Sequence, residues 1–379
     1  MKKLHFLATL FLCFTLAATA QETETLFTTT TGQDAPAPAG WQFASNTTIN
    51  AVGLTKEALL SATQPQKNVL LYTAQNQPVE YWYFPGTSRK NALVIGGMHG
   101  SELSAVEVAK HLVQQLLQGQ KPYYNVLVIP VLFPDNARAA MTCTKDRLQD
   151  NTGRYTTESA ADPNRQMPAA GQPFLLQQPV DAVQREIENE MKALLHVIQL
   201  VKPERLLSIH AIRDQGRAGV FADPRTTCEG TALGFDSDED LALLMAEHIQ
   251  AFGGTCRGNN LDQAPTALYY LDPAIAPAGQ KQMRSYQSPL LQGKSRGVSL
   301  GTWSSTAVCH NDGSLSRPAI RTFTVEFPGY LAPAEYKTRK EQQRYQRMVT
   351  VYADAIRQYF LQAFAVEGPV FAPEPFASN

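Results

Sequence analysis

Short, uninterrupted apolar runs alternate along this chain with stretches whose apolar residues recur at helical spacing. Ala92-Leu93-Val94-Ile95 ends at Gly96-Gly97 and gives way to a helical pattern from Ala105 to Gln118. Tyr124 to Leu132 reads as a strand, Val180 to Val201 as a helix with apolar Val183, Ile187, Met191, Leu194 and Leu195, and Leu206-Leu207-Ser208-Ile209 as a strand again. A helix over Leu241 to Phe252, a strand over Ile320 to Phe327 and a long helix from Pro333 to Phe364, whose polar first half could be loop, complete the series. Strands apolar on both sides need cover on both faces, and helices between them supply it by parallel crossover. Asn68 to Tyr72 and Val79 to Phe84 are separated by the polar Gln75-Asn76-Gln77, which adds an early antiparallel pair. The fold class expected is therefore α/β, with a mostly parallel, partly mixed central β-sheet flanked by helices.

The N-terminus carries a different signal. Met1-Lys2-Lys3 is positive, Phe6 to Leu16 is apolar and Ala18-Thr19-Ala20 offers small residues for cleavage, the pattern of a signal peptide over residues 1–20. A Thr-rich, Ala-Pro leader over 21–40, one large catalytic domain over 41–366 and a Pro-containing tail over 367–379 are expected to follow. The polar stretch from Pro134 to Pro179 and the span from Cys256 to Thr306 have little periodicity, and connections of that length usually build a site. Both could rim one cleft.

Charge and cysteine content narrow the function classes. With Lys2 and Lys3 removed, 31 basic residues face 34 acidic ones, a net charge of −3. Nucleic acid is not an expected partner without phosphate-neutralising excess, and stable membrane insertion is not expected either, because no later apolar stretch reaches the length of a span. Export places the chain in a periplasmic or extracellular, oxidising setting. Cys143, Cys228, Cys256 and Cys309 have no CxxC spacing, and Cys228 to Cys256 is the first pairing expected.

The chemistry is concentrated at strand ends. In Gly96-Gly97-Met98-His99-Gly100-Ser101-Glu102 an imidazole and a carboxylate stand three positions apart beyond a buried strand, where open α/β sheets bind ligands. Both can reach one metal ion. A zinc site needs a third ligand and an open position for water, and His210, also at the end of a buried run, is placed to supply it; His310 is its competitor. Glu326, at the end of Thr322 to Val325, is costly if buried without a partner, so it either meets a cation or serves as a general base. Asn164-Arg165 offers a planar donor fork and an adjacent amide, a pairing suited to a carboxylate.

Together these residues resemble the zinc carboxypeptidases of the funnelin type, and the bacterial murein-peptide amidases among them more than the pancreatic-like members. The order is the family's: His-x-x-Glu, then Asn-Arg, then a strand-end histidine, then a glutamate near the end. The resemblance implies one zinc ion held by His99, Glu102 and His210, Glu326 as general base, and Asn164 and Arg165 on the substrate's terminal carboxylate. It further implies a carbonyl-polarising arginine, Arg154 or else Arg147, and a tyrosine over the bound C-terminus, Tyr270 or its neighbour Tyr269. Arg213, Arg217, Arg225 and Asp272 are candidates for the specificity pocket. The substrate class implied is a peptide with a free C-terminus, and the exported setting points to peptidoglycan-derived peptides. A competing reading is an N-acyl amino-acid deacylase resembling succinylglutamate desuccinylases and aspartoacylases, which share the Gly-Gly-x-His-Gly-x-Glu opening and the Asn-Arg pair but carry a β-rich domain after the base. The 53 residues after Glu326 look helical instead. An inactive binding protein that holds peptide ends in the same cleft is the third reading.

Overall fold

A computed structural model describes residues 41–42, 48–49, 59, 61–156, 161–234, 236–258, 297–310 and 312–363. The expected signal peptide, leader and tail lie outside the described residues, as do Tyr269, Tyr270 and Asp272. Strands β1 (Gln66–Tyr72), β2 (Pro78–Phe84), β3 (Asn91–Ile95), β4 (Asn125–Ile129), β5 (Arg205–Ile212), β6 (Gly219–Ala222), β7 (Arg257–Gly258) and β8 (Arg321–Pro328) form one sheet. Their order is β7-β6-β8-β5-β3-β4-β2-β1. The central strands β4, β3, β5 and β8 run parallel, while β1, β2 and the β6–β8 contact are antiparallel.

The main helices are α1 (Leu103–Gln118), α2 (Pro134–Thr142), α3 (Asn189–Val201), α4 (Asp236–Ala251), α5 (Leu300–Ser305) and α6 (Arg339–Ala355). The sheet separates two apolar clusters. On one face Val94, Val128, Leu207 and Phe323 pack with Leu112 of α1, Met245 of α4 and Tyr352 of α6. On the other, Leu93, Ile95, Leu127 and Leu206 pack with Leu194 and Ile198 of α3 and Trp303 of α5. The result is a single α/β domain with a mixed, largely parallel sheet between helices. Among the described residues no helix is long and apolar enough to cross a membrane.

Several local expectations are corrected. Helix α3 begins at Asn189 rather than Val180, because Asp181 Oδ1 accepts from the Val183 and Arg185 amides and Gln184 takes a left-handed φ of 64°. That turn satisfies the backbone locally and ends helical continuity. Strand β4 stops at Ile129, short of Leu132, and the nominally unpatterned stretch after Pro134 opens with α2, which has Pro at its start. Helix α6 starts at Arg339, where Thr338 and Glu341 form a capping box, and regular α-helix ends at Ala355. The disulfide is Cys228 to Cys309, with Cα atoms 5.9 Å apart, and not Cys228 to Cys256. Cys256 is outside the disulfide and buried in the α4–α6 side of the core, whereas Cys228 and Cys309, both partly buried, meet beside the Gly171 backbone.

Candidate metal centre and cleft

The turn from β3 into α1 is built for close approach. Gly97 has φ +62°, and a Cβ at Gly100 would lie 2.3 Å from the Ala137 backbone nitrogen, so the segment presses flat against α2. This turns His99 and Glu102 over the carboxyl end of β3, in the middle of the sheet, both almost fully buried. His210 reaches the same point from β5. Its Nδ1 lies 3.1 Å from Glu102 Oε2 and 3.3 Å from His99 Nδ1, and His99 Nδ1 lies 2.9 Å from Glu102 Oε1. One ligand atom from each of the three side chains falls within 4.8 Å of the others. His310 stays in a rim loop, its amide bonded to Ser314 O, away from this cluster.

The outer nitrogens show that the set fits a metal. His99 Nε2 is 2.9 Å from Asp162 Oδ1 and His210 Nε2 is 2.9 Å from Ser208 Oγ. An N–H donated to the Asp162 carboxylate leaves the His99 Nδ1 lone pair facing inward, which is how metal-ligating histidines are oriented. Two imidazoles and a carboxylate are a donor set zinc accepts, with a position left open. This buried His-Glu-His cluster is consistent with a zinc-hydrolase active site and supports a zinc-dependent metallopeptidase activity. Sequence reading missed Asp162, because Asp-Pro reads equally as a turn; the aspartate does cap that turn, accepting from the Asn164 amide, while also holding His99.

The same cluster has a proton to lose. Burial alone would lower the His99 pKa, but the adjacent Glu102 and the Asp162 hydrogen bond outweigh it and raise it to about 9. Glu102 is held well below its usual range: burial opposes this, but both histidines favour its ionised form. Metal-free protein therefore carries His99 protonated at neutral pH, and zinc must displace that proton. Zinc affinity is expected to rise by about one decade per pH unit from pH 7 toward 9 and then flatten. Calorimetry in buffers of different ionisation enthalpy checks it, and an affinity flat across that range would contradict the ionisation assigned to His99.

Around the triad lies a cleft of about 290 Å³, lined among others by Arg154, Asn164, Arg165, Glu326 and Tyr330. Glu326 of β8 stands in register with His210 of β5, and Thr324 with Ser208, so the alternation of a strand puts all four side chains on one face. Half-buried, Glu326 is pushed up to about 7, chiefly by burial and with Glu102 adding to it, against the opposing pull of His210. Arg154 Nη1 donates to Glu102 Oε1 at 2.9 Å. Arg147 is spent elsewhere, on Ser101 O, Tyr330 O and Glu335 Oε2. Asn164 Oδ1 accepts from the Leu300 amide at the start of α5, which leaves its amide donors for a ligand. Arg213 stacks over the Tyr330 ring at 5.7 Å, while Arg225 is tied to buried Asp238. Tyr330 escaped sequence reading because only the backbone turn after β8 brings it to the cleft.

No family model matches the sequence, and no curated protein matches it. Distant similarity appears among solved bacterial metallopeptidases and carboxypeptidases. A metallo-carboxypeptidase from Burkholderia cenocepacia is 14% identical with TM-score 0.41, the alignment covering 82% of this chain and 68% of that one. A murein-tripeptide amidase from Escherichia coli O157 is 16% identical with TM-score 0.40, covering 79% and 95%. A metallo-carboxypeptidase from Pseudomonas aeruginosa, solved in complex with (2-guanidinoethylmercapto)succinic acid, is 15% identical with TM-score 0.44, covering 80% and 66%. Likenesses of this size are too slight to carry chemistry across, and the functional reading rests on the geometry of the site.

Proposed function

We propose that the chain is an exported zinc metallocarboxypeptidase that hydrolyses the peptide bond next to a free C-terminal carboxylate, in murein-derived peptides above all. The observation that carries this reading is Glu326, in register with His210 and beside a triad suited to zinc. His99, Glu102 and His210 would hold the ion, which when bound supplies Lewis acidity and a more acidic water. Glu326, whose carboxyl is held near neutrality, takes the proton as water attacks the carbonyl and returns it to the departing amine. Arg154, which lines the cleft while Arg147 does not, donates to the carbonyl oxygen as negative charge develops there. Asn164 and Arg165 grip the terminal carboxylate and so fix which bond lies beside Glu326. Tyr270 is proposed to cover the bound C-terminus. Export follows from the N-terminal signal pattern, and the murein preference from the compartment it implies.

The test is a matched pair of peptides, one with a free C-terminus and one amidated, given to zinc-loaded protein. Amidation is expected to cut kcat/KM by about a hundredfold or more, since it strips the charge from the contact with partly buried Arg165. Equal turnover of the pair would reject carboxypeptidase action and leave endopeptidase chemistry at the same metal.

A further inference from the structure

Resting on the carboxypeptidase reading, we infer that the substrate's C-terminal residue carries a side-chain ammonium, seated against the carboxylate of Asp223 in the wall of the same cleft. Asp223 follows β6, and its amide donates to Thr322 O, which fixes it beside the strand that carries Thr324 and Glu326. It lines the cleft yet is only 5% exposed. Three other buried aspartates have cationic partners: Asp162 meets His99 and Arg154, Asp181 meets Arg185, and Asp238 meets Arg225 and Arg321, while buried Asp135 accepts from the Gln75 amide. Among the described residues none donates to the Asp223 carboxylate. A buried acid left in this state is costly, and burial pushes it up to about 7. A cation arriving with the substrate removes that cost.

The backbone facing the carboxylate is bare. A Cβ at Gly301 would lie 2.5 Å from Asp223 Oδ2 and 3.0 Å from Oδ1, so only a glycine there lets the carboxylate pack against the α5 backbone and keep its place in the cleft lining. The neighbouring residue, Leu300, donates its amide to Asn164. Consecutive residues of α5 thus touch the residue proposed to hold the terminal carboxylate and the acid proposed to hold the side chain, which sets the two subsites side by side. Ser299 and Thr324 add hydroxyls to the lining, and Ala211 and Ile212 are its aliphatic members. Such a lining, with an acid and two hydroxyls, disfavours a large apolar or anionic side chain and suits a cation.

Peptides ending in lysine, norleucine, glutamate or meso-diaminopimelate, given to the zinc-loaded full chain, decide it. Lysine and norleucine differ only at the ammonium. Lysine is expected to exceed norleucine in kcat/KM by about thirtyfold or more, and calorimetry of the free amino acids is expected to show the same order. Asp223→Asn should collapse that ratio toward one. Gly301→Ala should do so too by displacing the Asp223 carboxylate, with thermal unfolding used to confirm that both variants fold. Diaminopimelate outrunning lysine assigns the ammonium to murein stems, and the reverse assigns it to ordinary peptides ending in lysine; both support the inference. Cleavage with no preference for lysine over norleucine removes the role of Asp223 and leaves the carboxypeptidase reading standing. Failure to cleave any peptide in the series or to bind either amino acid would overturn that reading, and this inference with it.

Discussion

Glu326→Gln is expected to retain its zinc and lose about a thousandfold of kcat, the range that positioned proton transfer supplies. The substitution keeps the shape of the side chain and removes only its capacity to take a proton. Glu326 belongs to β8 and the ligand opposite it to β5, so the exchange leaves His99, Glu102 and His210 in place. Metal content measured beside kcat separates loss of the base from loss of the ion. Activity above about a tenth of the original would remove Glu326 from the mechanism. The raised pKa adds a second readout. Folding lifts this carboxyl from its ordinary range to about 7, so the ionised form above pH 7 opposes folding and the neutral amide does not. Metal-free Glu326→Gln should accordingly unfold at a temperature no lower than the parent at pH 8. In the loaded enzyme the cation favours ionised Glu326, which places the acid limb of kcat/KM at or below pH 7.

Such a base could be named from sequence because the constraint that makes it conspicuous is local: a carboxylate closing an apolar strand has few harmless explanations. The same holds for His99 and Glu102, where Gly96, Gly97 and Gly100 mark a turn that no side chain would fit. What made the residues a site was not local. Glu326 faces His210 because two parallel strands pair in one register, and register is set by what the whole sheet buries. Asp162 looked like turn chemistry because its backbone role and its bond to His99 use the same carboxylate oxygen. Asp223 gave no signal at all, since its isolation is a property of the surrounding wall. The disulfide shows the limit in another way. Cys256 lies nearer to Cys228 in sequence than Cys309 does, but it is buried in the core beyond α4, whereas the short strand carrying Cys309 returns beside Cys228. Helix α3 was read too long because an apolar period cannot report that Asp181 has already turned the chain.

His210→Ala and Asp162→Asn should separate holding the metal from aiming its ligands. A four-ligand zinc site is worth about 10–16 kcal/mol, so one ligand accounts for about 3–4 kcal/mol, or about 10²–10³ in affinity. His210→Ala is expected to lose zinc to that extent, along with nearly all activity, because the imidazole leaves the cluster and Ser208 cannot replace it. Asp162→Asn keeps His99 and weakens its support: an amide can still accept from Nε2, but it no longer carries the charge that favours the bound ring. About a tenfold to hundredfold loss of zinc affinity follows. Excess zinc should therefore restore most of the activity of Asp162→Asn and little of that of His210→Ala, where an open ligand position admits the ion without the geometry Glu326 needs. Equal rescue of the two would show that Asp162 is itself a ligand, and equal indifference to zinc would show that His210 is not one. The comparison puts the two shells of one site on a single scale, and it does so through metal affinity, which needs no knowledge of the peptide.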